Sequence, residues 1–211
     1  MEGMVAKWYA TNTGRTRDEF TKLARRVSDM VPPGSSVLEV APGPGYFSIE
    51  LAKLGDYSIT GLDISHTFVE IARRGAAEAG ARVQFEQGSA SQIPFSDDRF
   101  DFLICRAAFK NFGEPVKALQ EMRRVLKPGG RGLIIDLRKD ASHEDINREV
   151  NSMGLSAVSR IMTKQIFRHF LLRTAYTKEQ LQTMLDCAGL ADAVIRQAGI
   201  GFEIWFTKQR G

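Results

Sequence analysis

The sequence predicts an α/β protein built on a doubly wound, largely parallel sheet, and three observations predict it. Short apolar runs alternate with helical patterns from residue 37 to residue 136, the signature of strand–crossover–strand units. Two of the runs, Phe102-Leu103-Ile104-Cys105 and Leu133-Ile134-Ile135, are continuously apolar, as strands covered on both faces are. The chain then closes on two strand candidates, 193–196 and 202–207. Ala198-Gly199-Ile200-Gly201 between them can turn the pair into an antiparallel hairpin.

In chain order, Thr16-Arg17-Asp18-Glu19 is a capping box opening a helix with Phe20, Leu23, Val27 and Met30 on one side. Val37-Leu38-Glu39-Val40 is the first strand candidate, and a helix over 46–54 follows it. The second strand runs over 57–63, a helix over 67–74 comes next, and Val83-Gln84-Phe85-Glu86 alternates at period two as the third. Pro115 suits the first turn of a helix carrying Val116, Leu119, Met122 and Leu126, which Lys127-Pro128-Gly129-Gly130 should end. A second capping box, Thr177-Lys178-Glu179-Gln180, leads into Leu181, Met184 and Leu185, with Gly189 as the stop.

At 211 residues one domain over 1–211 is expected, with a helical cap over 1–33 and a helical insertion over 137–176. The insertion holds a helix candidate with Val158, Ile161, Met162, Ile166 and Phe170 on one side and Arg160, Lys164 and Arg168 on another. It reads as an amphipathic lid with a solvated basic face. A collar for an anionic or lipophilic acceptor, helped by Phe167, Leu171 and Leu172, is the alternative. An apolar content of 43% and a charged content of 26% belong to a soluble globular chain. The net charge, 29 − 25 = +4, is too small to imply nucleic-acid binding. Cys105 and Cys187 are the only cysteines, so neither a disulfide framework nor a cysteine-rich metal site is expected. No apolar run approaches a membrane span, and the first residues lack a signal-peptide core, so the expected location is the cytoplasm.

Ligands of doubly wound sheets bind beyond the carboxyl ends of the strands. The loop after the first strand reads Glu39-Val40-Ala41-Pro42-Gly43-Pro44-Gly45. Gly43 and Gly45 permit a tight turn and close approach of a ligand to the backbone, and the following helix would aim its first N–H groups at that ligand. Glu39 would repel an anion and hold an ammonium. A turn without ligand is the plain alternative. A nicotinamide or flavin site would want a third glycine where Ser48 stands.

On Glu39, Gly43, Gly45 and the Lys127-Pro128-Gly129-Gly130 stretch, the chain resembles the class I S-adenosylmethionine-dependent methyltransferases, with their Rossmann-like seven-stranded sheet. Ala41 replaces the first glycine of that family's first motif. The resemblance implies S-adenosyl-L-methionine as cofactor and S-adenosyl-L-homocysteine as product. Glu39, Ala41, Gly43 and Gly45 would hold the methionine part. Asp63, at the end of the second strand, would accept both ribose hydroxyls, although capping the next helix is its other reading, a task Ser65 can also take. Ile64 would lie on the adenine. Gln87-Gly88-Ser89-Ala90 followed by Ile93-Pro94-Phe95 matches the third motif, with Ser89 where an aspartate normally binds the adenine amino group; the Ala90 N–H could still reach the ring. Cys105, ending the fourth strand, would sit near the cofactor.

The segment from Cys105 to Pro115 lines the meeting place of donor and acceptor in this family, and Lys110-Asn111 occupy a histidine pair's positions. The stretch is similar to that of the quinone-ring C-methyltransferases. Lys110 or Arg106 would stabilise a phenolate; an ordinary solvated lysine is the other reading of Lys110. Lys7-Trp8-Tyr9 could fold over the pocket, with Tyr9 as aromatic wall or hydroxyl partner, or simply pack on the sheet edge. His143 and His169 sit in no motif. The reaction implied is in-line methyl transfer to a small organic acceptor at O, N, S or C. A noncatalytic S-adenosylmethionine-binding module, and a methyltransferase acting on RNA or protein, remain the alternatives.

Overall fold

The computed structural model of the chain describes residues 17–152, 157–167 and 171–210. Helix α1 (Arg17–Ser28) carries Asp18 and Glu19 in its first turn and Arg25 and Arg26 in its last, charges that suit the two ends of the helix dipole. It is followed by β1 (Ser36–Val40), α2 (Tyr46–Ala52), β2 (Ser58–Asp63), α3 (His66–Glu78), β3 (Val83–Gln87) and β4 (Phe100–Arg106). A 3₁₀ turn at Phe109–Asn111 leads to α4 (Pro115–Val125) and β5 (Leu126–Leu137). The chain ends with α5 (His143–Ser152), α6 (Ala157–Ile166), α7 (Lys178–Cys187), β6 (Val194–Ala198) and β7 (Gly201–Thr207).

The strands form one seven-stranded sheet in the order β3-β2-β1-β4-β5-β7-β6. β1 through β5 pair in parallel, and β7 runs antiparallel to both β5 and β6. The doubly wound sheet and its terminal hairpin are therefore as expected. Strand order reverses between β1 and β4, which opens a crevice at their carboxyl ends.

The continuous apolar runs are explained by cover on both faces. Leu38, Val40, Leu103, Cys105 and Ile134 point to one side, where Leu119 and Met122 of α4 and Leu181 and Leu185 of α7 meet them. Val37, Phe102, Ile104 and Leu133 point to the other, against Ala24 and Val27 of α1 and Phe47 and Leu51 of α2. Each such large apolar side chain contributes about 1.5–3 kcal/mol on burial.

Two stretches differ from expectation. Lys127-Pro128-Gly129-Gly130 does not lie between helix and strand but inside the first half of β5, where Phe100 pairs with Leu126 and Phe102 already pairs with Arg131. The extra residues bulge out because Gly129 takes φ 82° and exchanges backbone hydrogen bonds, with Gly130, to Lys208 beyond β7. The insertion is helical, but Ile161, Met162 and Ile166 of α6 stand in solvent at 64%, 61% and 45% exposure. Its apolar contact is made instead by Phe167 and Leu172, packed with Ile146 and Val150 of α5. Phe170, Arg168 and His169 lie outside the described residues, as does the side chain of Val158.

Gly45 is the tightest point between the first loop and the sheet. It caps α2 at φ 77°, and a Cβ there would stand 2.6 Å from Phe85 Cζ and 3.0 Å from Ala72 Cβ. Strain and overpacking together make Gly45→Ala cost about 2–4 kcal/mol, read as a lowered urea midpoint at unchanged slope.

Candidate cofactor-binding site

The site begins with the pleat of β1. Alternation sends Leu38 and Val40 into one core layer, so Glu39 faces the other way and ends up 4% exposed at the crevice. The loop then leaves the sheet through Ala41, whose N–H donates to Leu62 O at 2.8 Å and whose φ is 57°. Gly43 follows at φ 56°, with nothing within 4 Å of the place a Cβ would take. The Gly43 N–H donates to Asp63 Oδ2 at 2.9 Å. The first loop is thus tied to the end of β2.

Asp63 is 5% exposed and its Oδ1 also accepts the Ser65 N–H at 2.9 Å. Ser65 is the residue that caps α3, accepting the Phe68 N–H through its hydroxyl at 3.2 Å. Asp63 thus shapes both the first loop and the turn into α3, and a carboxylate at the end of β2 is the kind of acceptor a vicinal diol uses. Ile64, beside it, is 67% exposed, an apolar surface held out over the crevice.

A cavity of about 250 Å³ lies between these groups. Glu39, Ala41, Gly43, Asp63, Ile64 and Arg106 all line it. Phe68, which the sequence does not single out, Phe20, which it presents as a helix position, Asn111, which it pairs with Lys110, and Pro42, Pro44, Ala107, Ala108 and Phe112, which it presents only as parts of segments, complete the wall. Phe20 was legible only as one apolar position of an amphipathic helix, because periodicity tells which side of a helix is covered and not what covers it.

Arg106 ends β4, pairs with Glu19 of α1 at 3.0 Å and stacks over the Phe20 ring at 4.5 Å. It is the cation among the described lining residues. Lys110 does not border the cavity: its ammonium lies 3.0 Å from Asp136 in a pair whose side chains are 8% and 7% exposed. It is not the solvated lysine of the plain reading either. Gly45 shapes the loop from behind. Gly88 donates its N–H to Asp63 O at 2.9 Å and packs so closely on Leu62 that a Cβ would stand 2.7 Å from Cδ1. Ser89 accepts the Ser91 N–H at 3.2 Å, and Ala90 packs on the core; neither lines the cavity. Cys105 is fully buried, and burial, with the Asp136 and Glu39 charges, pushes its thiol well above the usual range, so it is no nucleophile. Tyr9 lies outside the described residues.

Glu39 carries the electrostatics of the site. Ser48 donates both its N–H, at 3.2 Å, and its hydroxyl, at 2.5 Å, to the same oxygen, Oε2. Oε1 meets no hydrogen-bond donor among the described residues. The Ser48 N–H at the start of α2 is thus committed to Glu39, where the sequence reading had aimed it at a ligand. Burial pushes the carboxyl from an ordinary 4.5 up to about 7, against the Ser48 hydrogen bonds and the Arg106 charge, which favour ionisation. A buried, half-unpaired carboxylate is costly unless a cation meets it. A nucleoside with an ammonium at one end and a vicinal diol in the middle fits this donor set.

The comparisons with known proteins agree. Residues 37–130 match the family model described as a methyltransferase domain. The demethylmenaquinone methyltransferase of Mycobacterium tuberculosis is 32% identical over 204 residues, 95% of this chain and 82% of that protein. The chain belongs to the class I S-adenosylmethionine-dependent methyltransferases. The Deinococcus radiodurans demethylmenaquinone methyltransferase is 37% identical over 107 residues, but the match spans half of this chain and only 44% of that relative. Among solved structures, a Methanococcus maripaludis protein assigned to the S-adenosylmethionine-dependent methyltransferases superposes at TM-score 0.81 with 25% identity, covering 98% of this chain and 93% of that one. The family's cofactor is S-adenosylmethionine.

The raised carboxyl sets a pH window. In the free protein Glu39 holds its proton up to about 7, whereas the unfolded chain releases it near 4.5. Stability is therefore lost as pH rises through that window, by up to about 3 kcal/mol. An ammonium held at Glu39 would run the other way, since only the ionised carboxyl pairs with it. The affinity for S-adenosylhomocysteine should rise about tenfold between pH 6 and pH 8. Calorimetry on Glu39→Gln should give about tenfold or weaker binding with that pH slope gone.

Proposed function

We propose that the chain methylates a small organic acceptor, and that this acceptor is an electron-rich aromatic ring of the quinol type, methylated at carbon. The observation that carries the reading is the cavity itself, which combines the carboxylates of Glu39 and Asp63 with the rings of Phe20 and Phe112 and the cation of Arg106. The relatives that match over nearly the whole chain, named as demethylmenaquinone methyltransferases, support the same acceptor class.

In this assignment Glu39 Oε1 takes the amino group of the cofactor, Asp63 takes its ribose hydroxyls, and Ile64 and Phe68 pack on its adenine. When bound, S-adenosylmethionine supplies a methyl group on a positively charged sulfur, which is electrophilic toward a nucleophile in line with the carbon–sulfur bond. Positioning does most of the work in such a transfer and is worth up to about 7–11 kcal/mol in favourable cases. Arg106, at the cavity wall, stabilises the phenolate that makes a quinol ring carbon nucleophilic. The phenylalanine rings exclude water and accept a flat apolar acceptor. No helix among the described residues is long and apolar enough to cross a membrane.

The test is incubation with methyl-labelled S-adenosylmethionine and a short-chain demethylated quinol under reducing conditions, with product mass as readout. One added CH₂ on the ring is expected, and Asp63→Ala should lower kcat/KM by about 10–100-fold. Binding of the cofactor with no transfer to quinols, phenols or amines would instead mark a regulatory module.

A further inference from the structure

The turn that leaves β4 supplies Ala107, Ala108, Asn111 and Phe112 to the cavity wall, yet its own backbone is poorly suited to its shape. Ala107 sits at φ 55°, a left-handed conformation that is unfavourable for a residue with a Cβ and persists only where surrounding contacts impose it. Those contacts come from the neighbouring strand and from Lys110, and they centre on one carboxylate. Asp136 Oδ2 accepts the Lys110 backbone N–H at 2.9 Å, and Oδ1 accepts the Lys110 ammonium at 3.0 Å and the Leu137 N–H at 2.7 Å. The same ammonium donates to Ala107 O at 3.2 Å. Ala107 in turn donates its N–H to Ile135 O at 2.7 Å.

We propose that Asp136, working with Lys110, is a positioning residue that clamps the β4 turn into the shape that walls the donor–acceptor cavity. Neither side chain borders the cavity, and the pair acts through the backbone of Ala107 to Phe112. A buried ion pair is a poor source of net stability, since desolvation offsets most of its attraction, but its several directed bonds specify one geometry. The packing is consistent with that division of labour. Phe109, at the centre of the turn, meets Phe112 edge-on at 5.6 Å and Tyr176 at a tilt at 5.9 Å between ring centres, which keeps the turn attached to the core. The clamp then decides where Asn111 and Phe112 stand. Asn111 presents an amide with no hydrogen-bond partner among the described residues, in the cavity wall.

The functional consequence rests on the reading of this cavity as the cofactor and acceptor site, and the test separates the two claims. Lys110→Met with Asp136→Asn removes both charges while leaving an acceptor for the Lys110 N–H. Expected are a melting temperature equal to or above wild type, amide exchange over 108–112 about tenfold faster, and S-adenosylhomocysteine binding about tenfold weaker. Lys110→Met alone leaves the Asp136 carboxylate buried without its cation, so a lower melting temperature is expected of it, and exchange over 108–112 should then rise by more than that fall accounts for. Exchange that stays at the wild-type rate, or that rises only in proportion to a fall in melting temperature, would overturn the clamp. Exchange needs no ligand, so failure of wild-type protein to bind S-adenosylhomocysteine would count against the cavity reading and not against the clamp. Faster exchange with wild-type affinity would overturn the claim that the clamp serves the site.

Discussion

A carboxylate buried at the end of the first strand, with one oxygen satisfied and the other bare, is the constraint around which this molecule is arranged. Ser48 stabilises Glu39 through two donors on one oxygen, and the surrounding low dielectric still raises its proton affinity to the neutral range. A fold does not retain such a group for stability, because an apolar residue of similar volume would cost less. A cation at the open oxygen would offset the cost of that burial.

The rest of the site follows from carrying that carboxylate on a parallel sheet. β1 and β2 end side by side, so the Gly43 N–H can reach Asp63, and the loop that would receive a ligand is shaped by the same aspartate that would hold its sugar. β4 and β5 end beside them, and there a further carboxylate, that of Asp136, holds Lys110 and the turn that leaves β4. The helix α1 closes the remaining side by resting Phe20 and Glu19 on Arg106. Each wall is fixed by a charge at the end of a strand.

Those strand-end charges also explain what could be read in the sequence. Glu39, Asp63 and the two glycines were legible because their roles depend on strand ends and backbone conformation, which local pattern reports. Arg106 was legible for the same reason. Lys110 was placed on the right turn, but its direction was set by Asp136, 26 residues later, and no local pattern reports a pairing across adjacent strands. Phe20 reads as a core position of an amphipathic helix and Phe68 carries no signal of its own, and the cavity they wall exists only after three elements meet. The Lys127-Pro128-Gly129-Gly130 stretch read as a helix stop because proline and glycine end helices. In the folded chain the same residues bulge within a strand, held by Lys208 from the far end of the sequence.

The most direct test is the titration of the Glu39 carboxyl itself, followed by carbon-13 NMR of side-chain-labelled glutamate with Glu39→Gln for assignment. A midpoint near pH 7 in the free protein, falling below about 5 when S-adenosylhomocysteine is bound, is the predicted result. A carboxyl that titrates near 4.5 in the free protein, or whose midpoint the nucleoside leaves unmoved, would contradict the account.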